Sequence, residues 1–259
     1  MDILIHTLSG ALVGSLVGNL AKDKTIGQRF LLVVVGAIAG AMPDLDAISM
    51  WSGFDASFGS WFSLSETGRQ IFYGKHWYSH HGCSHSLLAA LIITAVFAVI
   101  RKVIVRKSIG QGLVYCLAFF FGYVSHLLGD LPTPPGSWGG IGLFYPLDEY
   151  VGGWAWTWWW NNYDVFLLLL AGVIVNLILI VLRRFLKQWS GKSSVISSCA
   201  IIVLCLVQFH LRGPNFEYVR GNNEFGSMEQ RSLAIQRKVL GESLFKQMRK
   251  FDNSISLNF

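Results

Sequence analysis

The chain has 259 residues, of which 53% are hydrophobic and only 14% charged, with a formal net charge of +6. Water-soluble domains carry about 25% charged residues, so this composition excludes an ordinary soluble globule and predicts an all-α, polytopic membrane helix bundle. The positive charge is divided among short turns and a tail, which argues against nucleic acid as a partner.

A bilayer-spanning helix needs roughly 17–25 apolar residues, and about six such stretches follow one another. The first, Ile3–Ala21, carries His6 near its start. It lacks the basic flank and small-residue cleavage site of a secretory signal and reads as a retained span. A turn with Lys22, Lys24 and Arg29 leads to the second span, Phe30–Met50, which ends in Pro43-Asp44-Leu45-Asp46. Proline stops or kinks a helix. Residues two apart on a helix do not share a face, so Asp44 and Asp46 reach one ion only if the backbone leaves the helix here. The plainer reading is a helix stop with capping aspartates.

The loop Trp51–Ser79 is rich in Ser, Gly and aromatic residues, and His80-His81-Gly82-Cys83-Ser84-His85 then opens the third span, Ser86–Val105. With His76, four imidazoles fall in this region. Cys83 offers a soft ligand among them, whereas Cys116, Cys199 and Cys205 lie inside spans and read as small apolar fillers. After a turn with Arg101, Lys102, Arg106 and Lys107, the fourth span, Gln111–Leu128, closes on His126 and Asp130. These two are four apart and so share one helix face. The loop Leu131–Asn162 has no basic residue, and its Trp154, Trp156, Trp158, Trp159 and Trp160 predict an aromatic belt at headgroup depth. The fifth and sixth spans, Tyr163–Leu182 and Val195–Leu211, are separated by Arg183, Arg184, Lys187 and Lys192.

The tail, 212–259, is polar and set apart from the membrane domain, 1–211. Its segment Ser227–Phe251 places Leu233, Leu240, Leu244, Met248 and Phe251 on one stripe of an amphipathic helix, which Gly241 weakens and Arg237 intrudes upon.

The basic residues named in the three short turns predict that those turns are cytoplasmic. The polar clusters then face the periplasm or cell exterior, as does the tail. Antiparallel spans set the start of one beside the end of the next, so His6, Asp44, Asp46, His80, His81, His85, His126 and Asp130 gather at one membrane face. Ionisable groups at such depth are costly and mark function. Histidine with aspartate in this number points to a divalent metal, zinc first. A metal or ion transporter would instead place these groups at mid-membrane on broken helices. A structural protein with a stabilising metal would close the coordination shell. A His-Glu-x-x-His zinc protease run is absent from the sequence.

His6 with Gly10, the PDLD run, HHGCSHS, GYVSHLLGD and the Pro-rich stretch beyond resemble the LexA-regulated, membrane-bound metal-dependent hydrolases, the YdjM-like inner-membrane proteins, over Met1–Leu147. The resemblance implies a bacterial inner-membrane hydrolase with His6, Asp44, Asp46, His80, His85, His126 and Asp130 as metal ligands. Asp46 either binds metal or orients the attacking water. Two residues depart from the family pattern. His81 stands where the family has arginine, and Ala47 where a histidine often follows the aspartates. Arginine clamps a phosphate through two aligned donors, whereas histidine donates one bond from each nitrogen. His81 is thus the expected catalytic contact to phosphate.

A more distant likeness is to the zinc-dependent phospholipase C and single-strand nuclease superfamily, although its second His-x-x-x-Asp pair is not evident here. It implies one to three zinc ions, paired metals being roughly 3.5–4 Å apart, and a metal-bound water as nucleophile. The expected substrate is a phosphoester in a membrane lipid or lipid-like envelope molecule.

Overall fold

The computed structural model describes residues 3–105, 109–133, 137–153, 162–211 and 225–254. In chain order the helices are α1 (Ile3–Leu20), α2 (Ile26–Ala41), the short α3 (Gly68–Tyr73), α4 (Leu87–Val105), α5 (Ile109–Asp130), α6 (Tyr163–Leu186), α7 (Trp189–Leu211) and α8 (Phe225–Ser254). Among the described residues, α1, α4, α5, α6 and α7 are each long and apolar enough to cross a membrane. A sixth crossing is α2 together with the 3-10 turn Pro43–Met50, bent from it by 49°. The all-α bundle expected from the composition is therefore present. Its second span is not one uninterrupted helix over Phe30–Met50. It starts earlier, at a capping box in which Thr25 Oγ1 accepts from Gln28 N and Gln28 Oε1 accepts from Thr25 N. It breaks at Pro43, which has no N–H to continue the ladder.

Small residues decide how the helices pack. Without a hydrophobic drive between helices in lipid, close backbone approach is the main source of association. Gly10 and Gly14 of α1 face Gly36 and Gly40 of α2 so closely that a methyl on any of them would overlap backbone atoms of the other helix. A Cβ on Gly122 of α5 would lie 2.7 Å from Gly36 O. These contacts draw α1, α2 and α5 together at the end where His6, Gly40, His126 and Asp130 sit. Around this seam lie two apolar clusters. One is built on Ile5, Leu12, Val165, Leu169, Val173 and Ile201 from α1, α6 and α7. The other joins Leu32, Val35, Phe119, Tyr123 and Leu127 of α2 and α5 to Ala89 and Ala90 of α4.

At the opposite end a buried polar lattice ties α1 to α6 and α7. Asn19 Nδ2 donates to Asn176 O (3.0 Å), Asn176 Nδ2 donates to Ser15 Oγ and Ser198 Oγ (3.1 Å each), and Ser194 Oγ donates to Asn176 Oδ1 (2.9 Å). The guanidiniums of Arg29 and Arg183 donate to Gly18 O and Asn19 O, the terminal carbonyls of α1. Cations at a helix C-terminus also suit its dipole.

The loop 137–153 is laced to the bundle by backbone bonds. Leu87 N donates to Leu143 O (3.0 Å), Gly153 N to Leu131 O (2.9 Å), and an isolated bridge joins Ile141 to Val151. The run Trp154–Trp160 lies outside the described residues, as do Arg106 and Lys107. In the tail, α8 is longer than expected and is broken at Gly241, whose φ of 74° no other residue adopts cheaply. Arg237, which falls on the expected stripe, is exposed and forms a bidentate pair with Glu242 (2.6 and 2.8 Å). Met248 is buried, while Leu244 is 38% exposed. The side chains of Leu233 and Phe251 lie outside the described residues.

Candidate metal centre

The break after α2 is what makes the site. Beyond Met42 the chain turns in a 3-10 helix, so Asp44 and Asp46 project from a backbone freed of the α-helical register. Beside them, the histidine run folds as turns ending in the short 3-10 segment Cys83–His85, which delivers His85 to the mouth of α4. The end of α5 adds His126 and Asp130 from one face, and α1 adds His6. His6, His81, His85, His126 and Asp130 are essentially inaccessible to solvent.

Four atoms converge on a common point. His126 Nε2 stands 3.2 Å from His85 Nε2, 3.5 Å from Asp44 Oδ1 and 2.9 Å from Asp130 Oδ2. His85 Nε2 stands 3.6 Å from Asp44 Oδ1 and 3.6 Å from Asp130 Oδ2. Tetrahedral zinc with bonds of about 2.0–2.1 Å holds its donors about 3.3–3.4 Å apart. The observed separations bracket that value. His6, Asp44, His126 and Asp130 also qualify as a metal-holding group, with ligand atoms within 4.8 Å of one another, and His80, His81 and His85 form a second such group.

The surrounding bonds aim these donors. Gly40 O can only accept, so the 2.6 Å contact from His126 Nδ1 fixes the proton on Nδ1 and leaves Nε2 of the neutral ring as a lone pair facing the centre. Metal-binding histidines are held in this way by a carbonyl or carboxylate on the far nitrogen. His85 Nδ1 faces Asp46 Oδ2 at 3.4 Å. Asp46 Oδ1 meets His80 Nδ1 at 2.6 Å, and its other oxygen accepts from Ser84 Oγ. Asp46 therefore spends both oxygens on the residues around the centre. His6 stacks on His126 (ring centroids 3.6 Å apart, 21° between planes) and meets Asp130 Oδ1 through Nε2 at 3.0 Å. Its Nδ1 is buried with no hydrogen-bond partner among the described residues.

Charge makes the same case. Asp44, Asp46 and Asp130 lie together in this buried cluster, and buried carboxylates need compensation. Burial disfavours the His85 cation, yet Asp46, Asp44 and Asp130 outweigh that and push the imidazole up to about 10. The cluster thus draws a proton to the place where a dication fits. The residues present suit a divalent ion.

His81 lies at the rim of this group, with a φ of 65°. Its Nδ1 meets Gly140 O at 3.1 Å, and burial with the neighbouring His80 and His85 holds it well below its ordinary pKa. A neutral ring with that tautomer presents a lone pair at Nε2. The phosphate donation expected of His81 therefore requires a second proton or a turned ring. His76 is drawn away from the group to Glu66 (3.2 Å) and stacks on Tyr78. Cys83 is a free thiol outside both donor groups.

Several contributors escape a reading based on chargeable residues. Tyr123 donates through its hydroxyl to Ser84 O (2.5 Å) and pins the histidine run to α5. Phe72 stacks on His80 (4.4 Å), and Trp138 packs against His80 and His81 (5.1 and 4.5 Å). The carbonyls of Gly40 and Gly140 orient rings without any side chain, and only the glycine spacing in α1 and α2 hints at the first of them.

These features define a polytopic helical membrane protein with a buried His/Asp centre at one end of the bundle. The model of the YdjM inner membrane protein family matches residues 1–214, and the chain belongs to that family. Neither a curated protein nor a solved structure matches it.

Proposed function

We propose that the protein is a metal-dependent hydrolase of phosphoesters, acting on a lipid or lipid-like envelope molecule from the periplasmic face of the inner membrane. The observation that carries this reading is the convergence of His85 Nε2, His126 Nε2, Asp44 Oδ1 and Asp130 Oδ2 at 2.9–3.6 Å. His6, Asp44, His85, His126 and Asp130 would hold zinc or a similar divalent ion, with His80 and His81 able to hold a second beside His85. When bound, the ion would supply Lewis acidity, acidifying water and neutralising phosphoryl charge.

The chain's own residues do the rest. Gly40 O fixes the tautomer of His126, and Ser84 Oγ (3.1 Å from Nδ1), itself bonded to Asp46, orients the His85 ring, which gives up its extra proton when an ion binds. Asp46, through the 2.6 Å contact with His80 Nδ1, also holds the His80 ring in place beside His85. Trp138, Phe72 and the loop 137–153 keep water from the histidine group. The centre's place at one end of the spans, not at mid-membrane, favours a surface reaction over transport.

The test measures metal in wild-type protein purified without chelator, then hydrolysis of a panel of lipid and soluble phosphoesters in liposomes. At least one divalent ion per chain is expected, lost in His126→Ala and Asp130→Ala, with metal-dependent hydrolysis lost in His85→Ala. Intact but metal-free wild-type protein defeats the reading. Cleavage of acyl esters or peptides with phosphoesters untouched defeats the phosphoester assignment alone.

A further inference from the structure

Next to the histidine group, on the other side of Trp138, lies a cavity of about 430 Å³. Its wall includes Lys75, Trp77, Trp138, Tyr145, Asp148 and Tyr150. Among the described residues no carboxylate forms an ion pair with Lys75, and no cation with Asp148. Lys75 Nζ stands 6.0 Å over the Tyr150 ring, which holds the ammonium in the wall. The cavity therefore offers one positive and one negative group that have not neutralised each other, on a lining of aromatic faces. At its edge Trp77 and Leu147 are 63% and 62% exposed, an apolar rim around a polar interior.

The cavity is also joined to the candidate centre by covalent neighbours and short bonds. Gly82 and Gly142 line it. Gly142 N donates to His81 O (2.7 Å), and His81 Nδ1 donates to Gly140 O (3.1 Å). Trp138 forms a shared partition, its ring 4.5 Å from that of His81 and its Nε1 donating to Phe72 O (2.9 Å).

We propose that this cavity binds the zwitterionic headgroup of an amine-bearing phospholipid. The phosphodiester meets Lys75, and the ammonium meets Asp148 and the aromatic faces, which attract cations through their ring quadrupoles. The exposed rim of Trp77 and Leu147 meets the glycerol and upper acyl region at headgroup depth. An anionic headgroup without an amine would leave Asp148 unpaired and repelled. The assignment rests on the lipid phosphoester reading for its place in turnover, but the binding step needs no ion.

The experiment uses the full chain in detergent micelles after chelation. Soluble glycerophosphoethanolamine, glycerophosphoglycerol and inorganic phosphate are titrated calorimetrically. Glycerophosphoethanolamine should bind most tightly, and Asp148→Asn and Lys75→Gln should each weaken it about ten-fold, the scale of one lost charge contact. Both side chains are exposed, so neither change burdens the bundle. Glycerophosphoglycerol should bind more weakly, and Asp148→Asn should strengthen its binding by removing the repelling carboxylate. Equal binding of the two diesters, tightest binding of inorganic phosphate, or wild-type affinity in Asp148→Asn overturns the proposal. Headgroup binding by chelated protein that hydrolyses nothing once metal is restored leaves this site standing and removes the hydrolase reading. Hydrolysis with no headgroup discrimination does the reverse.

Discussion

Gly40→Ala should abolish tight metal binding although Gly40 bears no side chain and touches no ion. A Cβ there would overlap His6 O and lie 3.0 Å from Gly10 Cα. Carbon atoms pack at about 3.5–4.0 Å, so α1 must move off by about 0.5–1 Å. Metal–ligand distances tolerate only about 0.2 Å, and α1 carries His6. The same shift disturbs Gly40 O, which holds the His126 ring through a 2.6 Å bond. Loss of such a supporting contact costs roughly 10–100-fold in affinity, and overpacking costs about 1–3 kcal/mol in stability. The assay is chelator competition on purified protein, with thermal unfolding in parallel. Gly27→Ala is the control, because a methyl there meets nothing within 4 Å. Gly122→Ala should be intermediate, since its Cβ would be 2.7 Å from Gly36 O alone among backbone oxygens. Wild-type metal affinity in a folded Gly40→Ala protein would refute the argument that helix approach sets the donor geometry.

Three further outcomes follow from the site and the topology. Asp46→Asn should weaken metal affinity about 10–100-fold without emptying the site, because it removes the carboxylate behind His80 and His85 and no donor atom of the main group; complete loss would make Asp46 a ligand. In chelated protein, His85 raised from 6.5 to about 10 contributes stability that is fully present below pH 6.5 and lost as pH rises through about 10. The melting temperature should therefore fall across that window, and added zinc should flatten the fall while releasing protons near pH 8; a pH-independent apo melting curve would contradict it. Single cysteines at Ser65 and Lys102, both exposed, should react oppositely with an impermeant thiol reagent in cells whose protein lacks the native cysteines; labelling at Lys102 alone would place the centre in the cytoplasm.

The spans were legible because apolar length is read almost directly from residue type. The donor cluster was legible because His and Asp are rare at such positions, and antiparallel threading brings span ends together whatever the packing details. Pro43 announced the break that frees Asp44 and Asp46. What escaped lies in the backbone. The carbonyls of Gly40 and Gly140 have no sequence signature of their own, although the four-residue spacing of Gly10, Gly14 and Gly18 and of Gly36 and Gly40 signals a close helix crossing. The direction of the His81 proton depends on Gly140, distant in sequence, and no local pattern reveals it. The hydroxyl of Tyr123 holds Ser84 O, and nothing in the sequence distinguishes this tyrosine from the other aromatic residues of the span. Gly241 was recognised as a weak point in α8, but whether a helix bends or breaks at a glycine depends on its surroundings.

The seam of Gly10, Gly14, Gly36 and Gly40 also bears on how the protein is made. Helices α1 and α2 leave the ribosome first and can pair at once, placing His6, Asp44 and Asp46 in the membrane. Their partners His85, His126 and Asp130 arrive later, on α4 and α5. At about 5–20 residues per second, Asp130 follows Asp44 by about 4–17 s. During that interval the nascent hairpin holds carboxylates with no imidazoles from the later helices to balance them. Protons or passing cations must screen them until α5 docks, and Gly122 against Gly36 is the contact through which it does so. The last helix to bring donors to the centre is thus also the one that docks on the first two, so a chain that pairs α1 with α2 wrongly leaves His126 and Asp130 without the surface that would set them beside His6 and Asp44.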